Sequence, residues 1–321
     1  MPEHLTFCDP QRLEGDYLAE FLATKRVPQN LFYLLNGASS FYSYRSTELA
    51  QIGSHDELRF FRRQPFWSPD CRMAFVSLGC GNAGAEKPLL QQMHAEGCNV
   101  RYIGIDSSDS MLELAAANLA DSDFPQTFAL ADFGLPEFPQ QVEALTSDCD
   151  ACIFAMMGGT FGNFDQSMIA DLLGRLVPPK AYLYLDVVPM YAAEDANLKL
   201  RSRFSQLPEN LRLFFDRLLE LLGLTRDDGE IYGVESDDGV VSTIRYTFYF
   251  RPHTTIGITC LGEGAVLTPD DRVELISIRA YQVASLQAFM SRRGFEAVGS
   301  FVPDTGNLSH LWQRLLFVKE E

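Results

Sequence analysis

Basic charge is scarce: the 321-residue chain has 26 Lys and Arg against 43 Asp and Glu, a formal net charge of −17. A surface of that sign repels phosphate backbones and anionic lipid. Nucleic acid and membranes are therefore not expected as partners, and a small-molecule substrate is. No run of 18 apolar residues occurs, so no membrane-spanning helix is expected. The acidic, polar opening Met1–Pro10 does not read as a secretory leader, which makes the cytoplasm the expected compartment. The five histidines (His4, His55, His94, His253 and His310) are dispersed without metal-ligand spacing, and no metal is expected. Seven cysteines, an odd number scattered along the chain, predict reduced thiols rather than a disulfide framework. The one C-x-x-C, Cys149 to Cys152, opens an apolar run and has no second ligand pair, so neither zinc nor redox chemistry is expected there. Repeats and low-complexity tracts are also missing.

What is present is a rhythm. Short apolar runs alternate with amphipathic stretches from Met73 onward: strands at 73–78, 99–105, 128–131, 152–157 and 181–188, and helices at 86–94, 110–119 and 166–176. Such alternation predicts right-handed β-α-β units and an α/β fold with a doubly wound parallel sheet. The first seventy residues are aromatic and polar, with helical stretches at 16–25 and 46–61, and read as a lid. Beyond Pro189 the rhythm breaks. An apolar helix at 210–224 is followed by β-branched and aromatic runs at 240–251 and 273–281, the pattern of antiparallel strands. A helix at 282–293 with Gly294 as its C-cap precedes a closing strand pair at 295–302 and 311–318. The expected organisation is a lid over 1–70, a core over 71–195 and 285–321, and an inserted β-rich substrate region over 196–284.

In an open parallel sheet, ligands bind at the carboxyl ends of the strands. Gly79-Cys80-Gly81-Asn82-Ala83-Gly84 follows the first core strand and would let a ligand approach the backbone closely. Asp106 ends the second, where a carboxylate can accept both hydroxyl protons of a ribose; capping the helix that starts at Ser107-Ser108 is the plainer use of the same residue. Asp132-Phe133 ends the third, a polar edge beside an aromatic face that suits adenine. Together the three tips predict an adenosine-bearing cofactor. The glycine loop formally fits G-x-G-x-x-G, which keeps a nicotinamide-dependent oxidoreductase open. A non-catalytic, cofactor-binding member of the fold is the third reading.

Leu78-Gly79-Cys80-Gly81 followed by Gly104-Ile105-Asp106 resembles class I methyltransferases that use S-adenosylmethionine. More specifically, Gly79-Cys80-Gly81, Glu86-Lys87, Leu89-Leu90, Asp106, Asp132-Phe133 and Gly158-Gly159-Thr160-Phe161-Gly162-Asn163 resemble the ergothioneine-pathway histidine Nα-methyltransferases. Phe32-Tyr33 and Ser277-Ile278-Arg279 are similar to two further segments of that family. The resemblance implies a Rossmann-like methyltransferase sheet, S-adenosyl-L-methionine as cofactor, and N-methylation of a small amino acid-like acceptor. It implies cofactor contacts from Gly79, Gly81, Lys87, Asp106, Asp132, Phe133 and Gly158, with Lys87 reaching toward the carboxylate end. It further implies that Asn163 and Tyr33 act at the reacting amine and that Ser277 lines the acceptor pocket.

Three departures weigh against histidine itself as the acceptor. The family's acidic residue, two before the serine, is here Leu275; Glu274 is adjacent, but a regular strand would turn it to the opposite face. A second family tyrosine has no match near Ala50, and the glycine loop is two residues longer. Arg279 and Tyr281 share the face of Ser277 at period two. Arg279 could therefore grip an acceptor carboxylate, or lie on a solvated strand edge. Phe214, Phe215, Phe248 and Phe250 read as core of the insert, or as walls of an apolar acceptor pocket.

Overall fold

A computed structural model describes residues 2–28, 55–190, 215–237 except 217 and 221, 241–250, 256–260, 263–268, 271–302 and 312–320. The chain order is β1 (Glu3–Thr6), α1 (Pro10–Thr24), α2 (His55–Phe61), β2 (Met73–Leu78), α3 (Lys87–Ala95), β3 (Val100–Asp106) and α4 (Asp109–Asn118). It continues through β4 (Gln126–Leu130), α5 (Phe138–Thr146), β5 (Ala151–Met156), a 3₁₀ turn (Thr160–Asn163), α6 (Gln166–Leu176) and β6 (Tyr182–Pro189). Strands β7 (Gly229–Asp237), β8 (Val241–Phe250), β9 (Ile256–Cys260), β10 (Glu263–Leu267) and β11 (Arg272–Tyr281) follow. The last elements are α7 (Val283–Ser291), β12 (Phe295–Phe301) and β13 (Gln313–Lys319).

Every residue of β2 is buried, which is why Met-Ala-Phe-Val-Ser-Leu reads as a nearly continuous apolar run instead of alternating. It pairs in parallel with β3 on one side and β5 on the other. The core order is β4-β3-β2-β5-β6, after which antiparallel β13 separates β6 from β12. The core is parallel, and β13 runs against it beside β6. Strand order reverses at β2, so the tips of β2, β3, β4 and β5 border the crevice where ligands collect in such sheets.

Helix starts follow local chemistry. Asp165 accepts from the backbone N–H groups of Ser167 and Met168, both at 3.0 Å, and caps α6. Ser108 caps α4 by accepting from Met111. Gly294 takes φ +78° just past α7, a left-handed conformation suited to glycine.

Several features differ from the sequence reading, among them strands β7, β9 and β10, none of which was expected. Residues 3–6, expected in the lid, are an edge strand of the core and pair in parallel with β4. A four-residue strand with few apolar positions leaves almost no periodic signal. Helix α5 was also not expected; its Phe138 and Val142 are buried against the sheet. The antiparallel strands β8 and β11 join the same sheet through β6, because Ala280 and Tyr281 pair with Val188 and Pro189. Of the expected helix over 210–224, residues 215, 216 and 218–220 are helical, and 210–214, 217 and 221 lie outside the described residues. Phe215 there is buried, Phe214 lies outside them, and Phe248 and Phe250 belong to β8.

The far face is tied down by charge. Glu57 of α2 accepts two hydrogen bonds from Arg314 of β13, at 2.8 and 3.0 Å, and a third from the Tyr184 hydroxyl. All three residues are buried. A buried pair of this kind specifies where α2 sits, and removing one partner strands the other charge.

Candidate active site

The tips of β2, β4 and β5 meet around Gly79. Its φ is +69°, and a Cβ added there would come within 2.7 Å of Thr160 Cγ2 and 3.6 Å of Phe133 Cζ. The position is closed to any side chain, so bare backbone faces the crevice. The backbone N–H groups of Gly79 and Cys80 both donate to Ile105 O, at 2.8 and 3.0 Å, which pins the loop to β3. Gly81, at φ +53°, donates its N–H to Asp106 Oδ2 at 2.9 Å.

Asp106 ends β3 in a buried position, and its other oxygen accepts from the Ser108 N–H at 3.0 Å. Burial raises its pKa to about 6, against the opposing effect of backbone donors at Gly81, Ser108 and Ser107. Of the two uses the sequence offers for this residue, support of the helix start is the one these bonds display. Asp106 braces the start of α4 and also joins the glycine loop to the second strand tip. Two oxygens with spare lone pairs at such a tip can accept a diol.

Asp132, one residue beyond the β4 extension, accepts from the Gly134 N–H at 2.9 Å and from the Tyr17 hydroxyl at 2.8 Å. Phe133 beside it packs at a tilt against Phe138 and Phe164, with ring centroids 5.5 and 5.7 Å apart. Gly158 and Gly159 leave β5 with φ of +64° and +81°. The Gly158 N–H is held by Asp186 Oδ2 at 3.1 Å. The 3₁₀ turn then presents Asn163, half-buried, with no hydrogen bond from its carboxamide among the described residues.

Lys87 lies elsewhere than expected. Its ammonium donates to Asn118 O at 2.6 Å and Asp121 Oδ1 at 2.8 Å, at the C-terminal end of α4. Reaching toward a cofactor carboxylate would require leaving both partners. Tyr33 falls outside the described residues.

On β11 the structure corrects the expected orientation of Glu274. The pairing of β11 with β8 shifts register between Glu274 and Ile276, so Leu275 is an extra, bulged residue. The bulge cancels the expected alternation, and the Ser277 hydroxyl donates to Glu274 Oε1 at 2.7 Å. Leu275 is fully buried. Glu274 also meets Arg26 Nε at 3.4 Å, and its backbone bonds to Lys25 and Val27 just past α1. Arg279 is half-buried and donates to Gly162 O at 3.1 Å, so it docks on the turn that carries Asn163 instead of lying on a solvated edge.

A family profile described as histidine-specific, S-adenosylmethionine-dependent methyltransferase matches residues 18–181, just over half of the 321-residue chain. The chain belongs to that family. It is therefore a methyltransferase that uses S-adenosyl-L-methionine and a small-molecule methyl acceptor. A search of curated proteins returns no match to the methyltransferase. Among solved structures it is similar to an S-adenosylmethionine-dependent methyltransferase from Clostridium acetobutylicum. That match has 10% identity and a TM-score of 0.44, covering 89% of this chain and 100% of that one. It is also similar to the glycopeptide N-methyltransferase MtfA with S-adenosylmethionine, at 14% identity and TM-score 0.42, covering 85% and 96% of the two chains. Among the described residues, no helix is long and apolar enough to cross a membrane, and no cluster of three or more His, Cys, Asp or Glu could hold a metal.

Sequence reasoning missed Tyr17 and Asp186. Neither belongs to a motif, and each bonds to an expected site residue distant in the chain, Tyr17 to Asp132 and Asp186 to Gly158. Thr160 stands inside the Gly-Gly-Thr element, yet its packing on Gly79 has no sequence signal.

Proposed function

We propose that the methyltransferase transfers a methyl group to the amino nitrogen of a small amino acid whose side chain bears a ring N–H, with histidine the first candidate. The observation that carries this is the bulge at Leu275, which joins Glu274 and Ser277 at 2.7 Å. Glu274 can accept a ring N–H, and the Ser277 hydroxyl would donate to the other ring nitrogen by turning its single proton away from Glu274, which together complement neutral imidazole. The bulge thus offsets the missing acid at position 275.

The spacing supports the same reading. Ser277 lies two strand residues before Arg279, roughly 7 Å at the usual rise, and Arg279 holds the turn bearing Asn163. That is about the span of a histidine-sized amino acid. Arg279 has donors left over beside its bond to Gly162, and these would meet the acceptor carboxylate in a forked geometry.

The closed cradle at Gly79 and the buried acceptor Asp106 fit an adenosyl group. Asp106 would take the ribose hydroxyls, Asp132 and Phe133 the adenine edge and face, and the backbone of Gly79, Gly81 and Gly158 the chain between. When bound, S-adenosylmethionine supplies a methyl already activated on a sulfonium. The chain's own task is alignment and exclusion of water. Asn163, neutral and free to turn, would orient the acceptor amine without adding positive charge beside it. The amine must be unprotonated to react, and Tyr33 is the proposed relay for its proton.

The test is a mass-spectrometric screen of amino acids and amines with S-adenosylmethionine. A gain of one CH₂ on histidine, on its α-amino nitrogen, supports the reading. Gain only on acceptors without a ring N–H overturns it.

A further inference from the structure

The adenine subsite has a second support that no motif predicts. Tyr17 is buried on α1 and donates its hydroxyl proton to Asp132 Oδ2 at 2.8 Å, across 115 residues of chain. The Gly134 N–H occupies Oδ1 at 2.9 Å. Each carboxylate oxygen is thus held by one donor, which fixes the plane of the group and leaves only accepting lone pairs toward the crevice. The nearby Cys8 thiol, raised to about 11 by burial and then by the Asp132 charge, stays protonated and donates to Leu130 O at 3.6 Å. It adds no negative charge to the subsite.

We infer that Tyr17 is a positioning residue for cofactor selection: it holds Asp132 as a fixed acceptor that selects a purine carrying a 6-amino donor over one carrying a 6-oxo group. The inference rests on the proposal that Asp132 meets the adenine edge. An exocyclic amine donates to such a carboxylate. A 6-oxo group sets oxygen against oxygen, a mismatch that a rigid acceptor penalises and a mobile one relieves by turning away. Tyr17 supplies the rigidity. Its substitution by phenylalanine keeps the ring in place and removes the one bond in question.

The probes are S-adenosylhomocysteine and its deaminated counterpart, S-inosylhomocysteine, titrated by calorimetry into the full-length protein. Wild type should prefer the adenosyl ligand by tenfold or more, on the order expected for one mismatched charged hydrogen bond. In Tyr17→Phe that preference should shrink to about twofold, mainly through weaker adenosyl binding, with the melting temperature nearly unchanged. A variant that weakens both ligands equally, or neither, overturns the inference and leaves Tyr17 a staple between α1 and the sheet. Asp132→Asn is the second variant: an amide offers a donor to the 6-oxo group, so the preference should vanish or reverse, and an undiminished preference overturns the inference as well. Wild type that binds neither ligand overturns the proposed cofactor site, and the inference with it.

Discussion

Replacing Glu86 with glutamine should stabilise the protein, by an amount that grows as the pH rises. Glu86 sits at the foot of the glycine loop, where it accepts a hydrogen bond from Ser77 of β2 and leads into α3. It is buried, and burial raises its pKa from the usual 4.5 to about 7, although Ser77, its own backbone N–H and the Arg314 charge pull the other way. A carboxyl raised in the folded state favours folding as the neutral acid below its unfolded pKa. That advantage is lost as pH climbs through the folded value. The difference, 7 − 4.5, corresponds to about 3 kcal/mol once both states are ionised. Solubility is poorest near the isoelectric point of about 4.7, so the useful window starts higher. Between pH 5.5 and 8, the linkage relation predicts that wild type loses about 2 kcal/mol relative to Glu86→Gln. Urea unfolding of both proteins at the two pH values measures this. A stability difference independent of pH would refute the reasoning, because it would mean that Glu86 does not change its ionisation on folding.

Asp106→Asn should weaken S-adenosylhomocysteine binding by roughly a hundredfold, since two hydrogen bonds to a charged group are lost or softened. With a pKa of about 6, wild-type affinity should hold above that pH and fall below it as the carboxylate protonates, whereas the variant's titration should be flat. Asn163→Ala should leave the calorimetric Kd for S-adenosylhomocysteine unchanged while kcat drops by about a hundredfold, as expected for loss of an orienting group. Glu274→Gln should raise the KM for a ring-bearing acceptor with little change in cofactor affinity, measured in steady state against both substrates. Glu57→Ala should cost about 3–5 kcal/mol in chemical unfolding, because Arg314 is left buried without its carboxylate.

The parallel core was legible because buried strands such as Met73–Leu78 and capped helices such as Gln166–Leu176 carry strong local patterns. The placement of the strand tips was legible for a related reason: each expected residue directly follows or ends a buried strand, and the structure sets Gly79 beside Phe133 and Gly81 against Asp106. Edge strand β1 was not, since four residues paired on one side show no period. Glu274 illustrates a sharper limit. Alternation along a strand assigns faces only while the register is regular, and the bulge at Leu275 depends on pairing with β8, which the sequence of β11 does not record. The partners of Tyr17 and Lys87 were illegible for one reason: they are Asp132 and Asp121, residues 115 and 34 positions away in the chain, which no local pattern records.

A crystal structure of the full-length protein with S-adenosylhomocysteine tests the site most directly. The expected electron density has the ribose hydroxyls on the Asp106 carboxylate, adenine between Asp132 and Phe133, and the homocysteine sulfur turned toward Asn163. A ligand lodged away from the tips of β2, β3 and β4, or a ribose facing away from Asp106, would contradict it.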